Sequence, residues 1–148
     1  MGASIADLTL ESAEREAVAA QARAFAPQLP SAEGRERYQR LADAAAQGVV
    51  PEDLVPSLEA LLELALHKRP LAEPLLSGLF ARTPRGHELA AAAREVNTAL
   101  RTLKGQQVAQ LHLTAGPGRY ALTLETDRVR LSLVLDDAGP RVESAEVG

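Results

Sequence analysis

The chain has 148 residues, a net charge of −4, 46% hydrophobic residues and no cysteine. A chain of this length can bury a core without cross-links, and the lack of cysteine excludes disulfides, thiolate metal sites and cysteine nucleophiles. No basic region followed by an apolar run opens the sequence, and no apolar stretch approaches the roughly 18 residues of a membrane span. We therefore expect a cytoplasmic protein without membrane contact, and its arginine and alanine usage indicates a bacterial source.

Apolar residues recur at helical spacing through the first 104 residues, which predicts five helices. The first runs from Ser12 to about Ala26, the second lies between Ser31 and Gly48, the third opens at Pro51, a short fourth carries Leu75, Leu76, Leu79 and Phe80, and the fifth runs from Thr83 to about Leu103. Thr83 should cap the fifth helix by accepting a hydrogen bond from the amide of Arg85 or Gly86.

The third helix has an unusually wide apolar surface. Its apolar residues cover an arc of roughly 200°, against about 100° for an ordinary surface helix. Such a helix is either the centre of its own domain or part of an interface with a second copy or another protein. In the second case the residues at one margin of the arc, Val55, Leu62 and Leu66, form the contact with the partner.

From Gln106 onward the hydrophobic period changes from 3.6 to 2, which predicts an antiparallel β-meander of three or four strands. One face of the meander is apolar and is predicted to be buried by helices: Ala109, Leu111, Leu113, Tyr120, Leu122, Leu124, Val129, Leu131, Leu133 and Leu135. Since the opposite face is polar, helices should cover only one side of the sheet.

Two turns fix the expected strand register. A two-residue turn at Thr126 and Asp127 pairs Leu124 with Val129, and a four-residue loop over residues 115–118 pairs Leu113 with Tyr120. A fourth strand is expected near Arg141 to Val147.

Helices followed by strands predict an α+β fold. We expect a single domain over residues 1–148, with a helical part over 1–104 and the meander over 105–148. The order of the elements is similar in outline to the NTF2-like cone fold, although the sequence contains no motif of that family.

Few residue patterns in the sequence indicate chemistry. His67, His87 and His112 match no metal-ligand spacing, and no serine lies in a nucleophile elbow. We predict no catalytic residues, no metal site and no cofactor. An aromatic content of 3% leaves almost no platform for base stacking, so nucleic acid binding is not expected.

Two turns could bind an anion through backbone amides and arginine. One lies at Gly118 and Arg119, and the other at Arg82, Arg85 and Gly86, where a helix begins. The hairpin turn needs glycine in any case, and capping by Thr83 explains most of the second pattern without a ligand, so we favour these structural roles.

These observations favour a non-catalytic protein-interaction or assembly module, possibly a homo-oligomer, because the chain lacks catalytic clusters and carries surplus apolar helix surface. The alternative is a small protein that binds an apolar ligand in a pocket between helices and sheet. An anion or nucleic acid binder is the third reading.

Overall fold

The structure, a computed structural model, describes residues 6–68 and 74–148. Within these residues, five helices precede a four-stranded antiparallel sheet, which confirms the α+β fold. The helices are α1 (Ser12–Phe25), α2 (Ala32–Gln47), α3 (Val55–Lys68), α4 (Pro74–Ala81) and α5 (Pro84–Arg101). The strands are β1 (Leu8–Thr9), β2 (Val49–Val50), β3 (Val108–Gly116), β4 (Arg119–Thr126), β5 (Val129–Asp136) and β6 (Gly139–Val147). No described helix is long and apolar enough to cross a bilayer.

The chain divides into two compact units, Met1–Gly86 and His87–Gly148. Almost all of α5 therefore belongs with the sheet, whereas the sequence placed the whole helical part before residue 105. The expectation that both units form a single domain stays a prediction.

The first unit is a helical cluster in which α3 is central. Its core contains Val18, Leu41, Leu58, Leu62 and Leu79. The second helix begins and ends as predicted: the Ser31 hydroxyl accepts a hydrogen bond from the amide of Gly34 at 3.0 Å, and Gly48 adopts a left-handed conformation (φ 96°) after α2. The third helix begins later than predicted, at Val55, because Glu52–Leu54 form a short 3-10 turn after Pro51. A short ladder pairs β1 with β2 in the same unit.

Thr83 caps the N-terminus of α5, as predicted. Its hydroxyl accepts a hydrogen bond from the amide of Gly86 at 3.1 Å and donates one to the carbonyl of Phe80 at 2.6 Å. Thr83 is fully buried, and its bond with the Gly86 amide is shielded from water.

In the second unit the strands follow the order β3-β4-β5-β6, so that β3 and β6 are the two edges. The helix α5 packs on the apolar face of the sheet, where Val96 meets Val129, Leu131 and Leu133 in one buried cluster. The opposite face is largely polar, with Val134 as a buried exception.

The predicted register is wrong by two residues in both hairpins. Leu113 pairs with Leu122 rather than Tyr120, and Leu124 pairs with Leu131 rather than Val129. The side chains keep their predicted face, because residues alternate with a period of two and a shift of two preserves that alternation. The expected fourth strand is present as β6.

Turn chemistry explains the shift. Pro117 and Gly118 alone form the first turn, and Gly118 has the positive φ (67°) that the second central residue of a type II turn needs. In the second turn the Thr126 hydroxyl accepts hydrogen bonds from the amides of Arg128 and Val129, at 3.2 and 2.9 Å. These bonds place Asp127 and Arg128 at the centre of the turn.

Candidate interaction surface

The apolar face of the sheet has two parts with different environments. The covered part, Val129, Leu131 and Leu133, lies on β5 in the cluster that includes α5 and is buried. The bare part consists of Leu111 and Leu113 on β3, Tyr120 on β4 and Leu135 on β5, and all four are exposed. The same alternating pattern thus produced both a core and a surface.

The exposure of the bare part is large. The exposed fractions are 60% for Leu111, 58% for Leu113, 51% for Tyr120 and 41% for Leu135. The prediction that these positions are buried is therefore wrong, as it is for Ala109, which is also exposed. A helix is about 10 Å wide and strands lie about 4.8 Å apart, so one helix covers about two strands of a four-stranded sheet.

Strand pairing makes the bare part continuous. Ala115 pairs with Tyr120, and Tyr120 pairs with Leu135 on the next strand. Leu111 and Leu113 lie beside them at alternate positions of β3, on the same face of the sheet. Isolated exposed leucines are ordinary, but a contiguous apolar patch marks an interaction site.

The bare part borders an unprotected edge. All nine residues of β3 are exposed, and Val108–Gly116 contains no Asp, Glu, Lys or Arg. The other edge strand, β6, carries Pro140, Arg141, Glu143 and Glu146, and its pairing with β5 is interrupted by a bulge. Both edge strands carry a bulge, that of β3 lying between Val108 and Gln110. Proline and charge are further features that keep edges from pairing with other chains, and β6 has both whereas β3 has neither.

The structure places the predicted contact residues of α3 differently. Val55 and Leu62 are 1% exposed inside the first core, and Leu66 is half-buried against it. Most of the wide apolar arc of α3 is thus covered within its own unit, with Leu64 as an exposed exception, and this agrees with the central-helix interpretation.

The donors of the predicted anion site at the start of α5 already have partners within the chain. The amide of Arg85 donates to the Glu59 carboxylate at 2.6 Å, and its guanidinium donates to Glu63 at 3.0 Å. Arg82 pairs with Glu14 at 2.5 Å. The Gly86 amide donates its hydrogen bond to the Thr83 hydroxyl. Carboxylates of the first unit occupy the place that an external anion would take.

The second predicted anion site is similarly engaged. Arg119 donates a hydrogen bond to Glu143 at 3.0 Å, and Gly118 supplies the left-handed turn conformation between β3 and β4. The two predicted anion sites lie in different units, and each is explained by local structure.

One open depression of about 580 Å³ has a largely polar wall, which includes Lys104, Gln106, Gln107, Asp127 and Arg128. A smaller one of about 130 Å³ in the first unit borders Phe25, Leu61 and Leu64. A pocket for an apolar ligand is usually enclosed, mostly apolar and at least about 300 Å³ in volume, so neither depression matches the alternative of a small apolar ligand.

The histidines of the described residues lie at the surface. His67, His87 and His112 are all exposed. Among the described residues, no three His, Asp or Glu side chains are grouped so that they could hold a metal ion.

Comparisons with known proteins add no family to this description: no family model, no curated protein and no solved structure matches the chain.

Part of the candidate surface could be predicted from the sequence. Leu111, Leu113, Tyr120 and Leu135 were assigned to the correct face, but a cover over all strands was assumed. The lack of charge in Val108–Gly116 is the sequence signal that distinguishes β3 from the other strands of its sheet.

Proposed function

We propose that this protein is a non-catalytic protein-interaction or assembly module whose binding surface is the bare part of the sheet together with the edge strand β3. The observation that carries the proposal is the exposure of four large apolar side chains beside an uncharged edge. A cytoplasmic, bacterial setting, expected from the composition, belongs to the same proposal.

Both halves of this surface favour a macromolecular partner. At roughly 100 Å² for each side chain, the bare part offers on the order of 400 Å² of apolar surface, which is in the range of functional patches. A flat strand edge adds main-chain donors and acceptors that an extended segment of a partner can bind. A small ligand would use neither a flat patch nor a strand edge.

Affinity capture from the source cells tests this function. The bait is the wild-type chain, with Leu113→Lys as the disrupting variant and Ser144→Lys as a matched control that places the same charge on β6. Leu113 and Ser144 are both exposed, so neither change should unfold the chain, and circular dichroism verifies this.

We expect Leu113→Lys to lose the proteins that bind the wild type, further copies of the chain included, by tenfold or more. Ser144→Lys should retain them. If Leu113→Lys captures the same proteins at the same level as the wild type, the surface assignment is wrong.

A further inference from the structure

Half of the main-chain amides and carbonyls of the edge strand β3 form no hydrogen bond with another strand of the sheet, because β3 pairs with β4 alone. In a hairpin closed by a two-residue turn, the flanking pair, here Gly116 and Arg119, is hydrogen-bonded, and such pairs alternate along the ladder. Hence Gln110, His112 and Thr114 direct their main-chain groups toward β4. Leu111, Leu113 and Ala115 direct theirs outward, beyond the edge of the sheet.

The strand is also nearly symmetrical about its centre. Reading outward from His112, Leu111 matches Leu113, Gln110 matches Thr114, and Ala109 matches Ala115. When a strand pairs antiparallel with its own copy across a twofold axis, each residue meets its counterpart in the reversed sequence. A palindromic pattern therefore places leucine against leucine and polar side chain against polar side chain.

The charge pattern agrees with self-pairing. Like charges directly opposite each other destabilise strand pairs, and a charged strand that pairs with its own copy brings like charges close together. Each of β4, β5 and β6 contains charged residues, whereas β3 has none. A different partner strand would have no charge on β3 to recognise, but a second copy needs none.

Self-pairing also gives the leucines of β3 apolar neighbours. It brings Leu111 beside the Leu113 side chain of the second copy, at about 5 Å between Cβ atoms. Tyr120 and Leu135 lie on the inner strands β4 and β5, outside this contact.

We propose that β3 pairs antiparallel with β3 of a second copy of this chain about a twofold axis at His112, which joins the two sheets into one of eight strands. The outward main-chain groups of Leu111 form hydrogen bonds with those of Leu113 in the second copy. By symmetry, those of Leu113 form hydrogen bonds with Leu111 of the second copy. The two His112 residues form the central pair without main-chain bonds. This inference rests on the proposed function and identifies the partner.

Single cysteines test the pairing cleanly because the native chain has none. At a central pair of this kind the Cα atoms lie about 4.5 Å apart, within the span of a disulfide. The His112→Cys variant should therefore form a disulfide-linked dimer under mild oxidation. Thr123→Cys, which is directly paired with His112 on β4, is the matched control. In the proposed dimer its two copies are three strand spacings, about 14 Å, apart and cannot be bridged.

We expect at least tenfold more cross-linked dimer from His112→Cys than from Thr123→Cys. Equal cross-linking of the two would contradict the pairing. A dimer that is cross-linked by Tyr120→Cys but not by His112→Cys would also contradict it, because the bare faces would then pack against each other.

Sedimentation of the cysteine-free chain separates this inference from the proposed function. The wild type and Ser144→Lys should sediment as dimers, and Leu113→Lys as a folded monomer. A wild type that remains monomeric at all concentrations overturns the pairing. If such a monomer still captures other proteins in a Leu113-dependent manner, the interaction function stands with a different partner.

Discussion

The two units bury their apolar residues to different extents. In the first unit four helices surround one another, and the wide apolar arc of α3 is covered from several sides. In the second unit one helix lies on a four-stranded sheet, and the apolar face extends beyond it to Leu111 and Leu113. The first unit is complete as a hydrophobic core, whereas the second exposes a surface that a partner can cover.

The comparison shows that the amount of apolar surface in an element does not by itself indicate an interface. Helix α3 has the most continuous apolar surface in the sequence, yet Val55 and Leu62 are buried. Strand β3 has a modest pattern, with Leu111 and Leu113 as its large members, yet both are exposed. What matters is how much cover the neighbouring elements supply.

The largest expected effect is the loss of the first core. Leu62→Glu places a carboxylate without a partner among buried leucines, which costs several kcal/mol and should unfold the first unit. Circular dichroism at 222 nm measures the loss of helix. Leu64→Glu, two residues further along α3 at an exposed position, is the control and should remain folded. A folded Leu62→Glu protein would mean that α3 is not central.

The covered part of the sheet should respond strongly to truncation. Leu131 lies in the buried cluster that includes α5, so Leu131→Ala should lower the free energy of unfolding by about 2–5 kcal/mol. Urea denaturation followed by circular dichroism provides the value. A loss below about 1 kcal/mol would be too small for a fully buried leucine and would contradict the packing of α5 on β5.

The cap of α5 should have an intermediate effect. Thr83→Ala removes the acceptor for the Gly86 amide, and we expect a loss of about 0.5–2 kcal/mol. Thr83→Ser keeps the hydroxyl and should retain most of the stability lost in Thr83→Ala. Equal losses in the two variants would show that the hydroxyl is not the stabilising group.

Shortening a side chain of the bare part should hardly change the stability of the isolated chain. Leu113→Ala should change the unfolding free energy of the monomer by no more than about 0.5 kcal/mol, because its side chain is already largely hydrated. The comparison with Leu131→Ala, at the same protein concentration, tests the division of this face most simply. A loss as large as that of Leu131→Ala at low concentration would show that Leu113 is buried in the monomer.

The smallest effect concerns the turn between β5 and β6. Hydrogen bonding from the Arg141 guanidinium, 2.7 Å away, and from the Ala138 amide holds the pKa of Asp136 below its ordinary value. Because the pKa is lower in the folded chain, the stabilisation is complete above the unfolded pKa and is lost as the pH falls through the folded one.

A carboxyl NMR titration measures this midpoint. The Asp136 midpoint should lie below that of an ordinary aspartate and should rise in Arg141→Gln. An unchanged midpoint in the variant would remove Arg141 as the cause.

The sequence was sufficient for the fold class and for the face on which each strand residue lies. It was insufficient for the register, because hydrophobic alternation constrains pairing only to even shifts and the turns decide among them. The positive φ of Gly118 and the two hydrogen bonds to the Thr126 hydroxyl made that choice. The backbone conformation of Gly118 and the hydrogen bonds of Thr126 are local features of the turns, and the hydrophobic alternation of the strands does not predict them.

The exposure of the candidate site could not be predicted, and the reason differs from the reason for the register. Which strands a helix covers depends on where it crosses the sheet, and this depends on packing between elements distant in sequence. Leu111 and Leu131 carry the same pattern and lie on the same face, yet one is exposed and the other buried. The charge-free composition of β3, in contrast, could be read directly from the sequence.

Amide hydrogen exchange along β3, recorded over a range of protein concentrations, is the most direct measurement of whether this strand is an interface. The amides of His112 and Thr114 bond to β4 and should be protected at every concentration, which provides an internal reference. We expect the outward amides of Leu111, Leu113 and Ala115 to be protected at high concentration and to exchange rapidly on dilution. Rapid exchange of these three amides at all concentrations would show that no second copy covers the edge of β3.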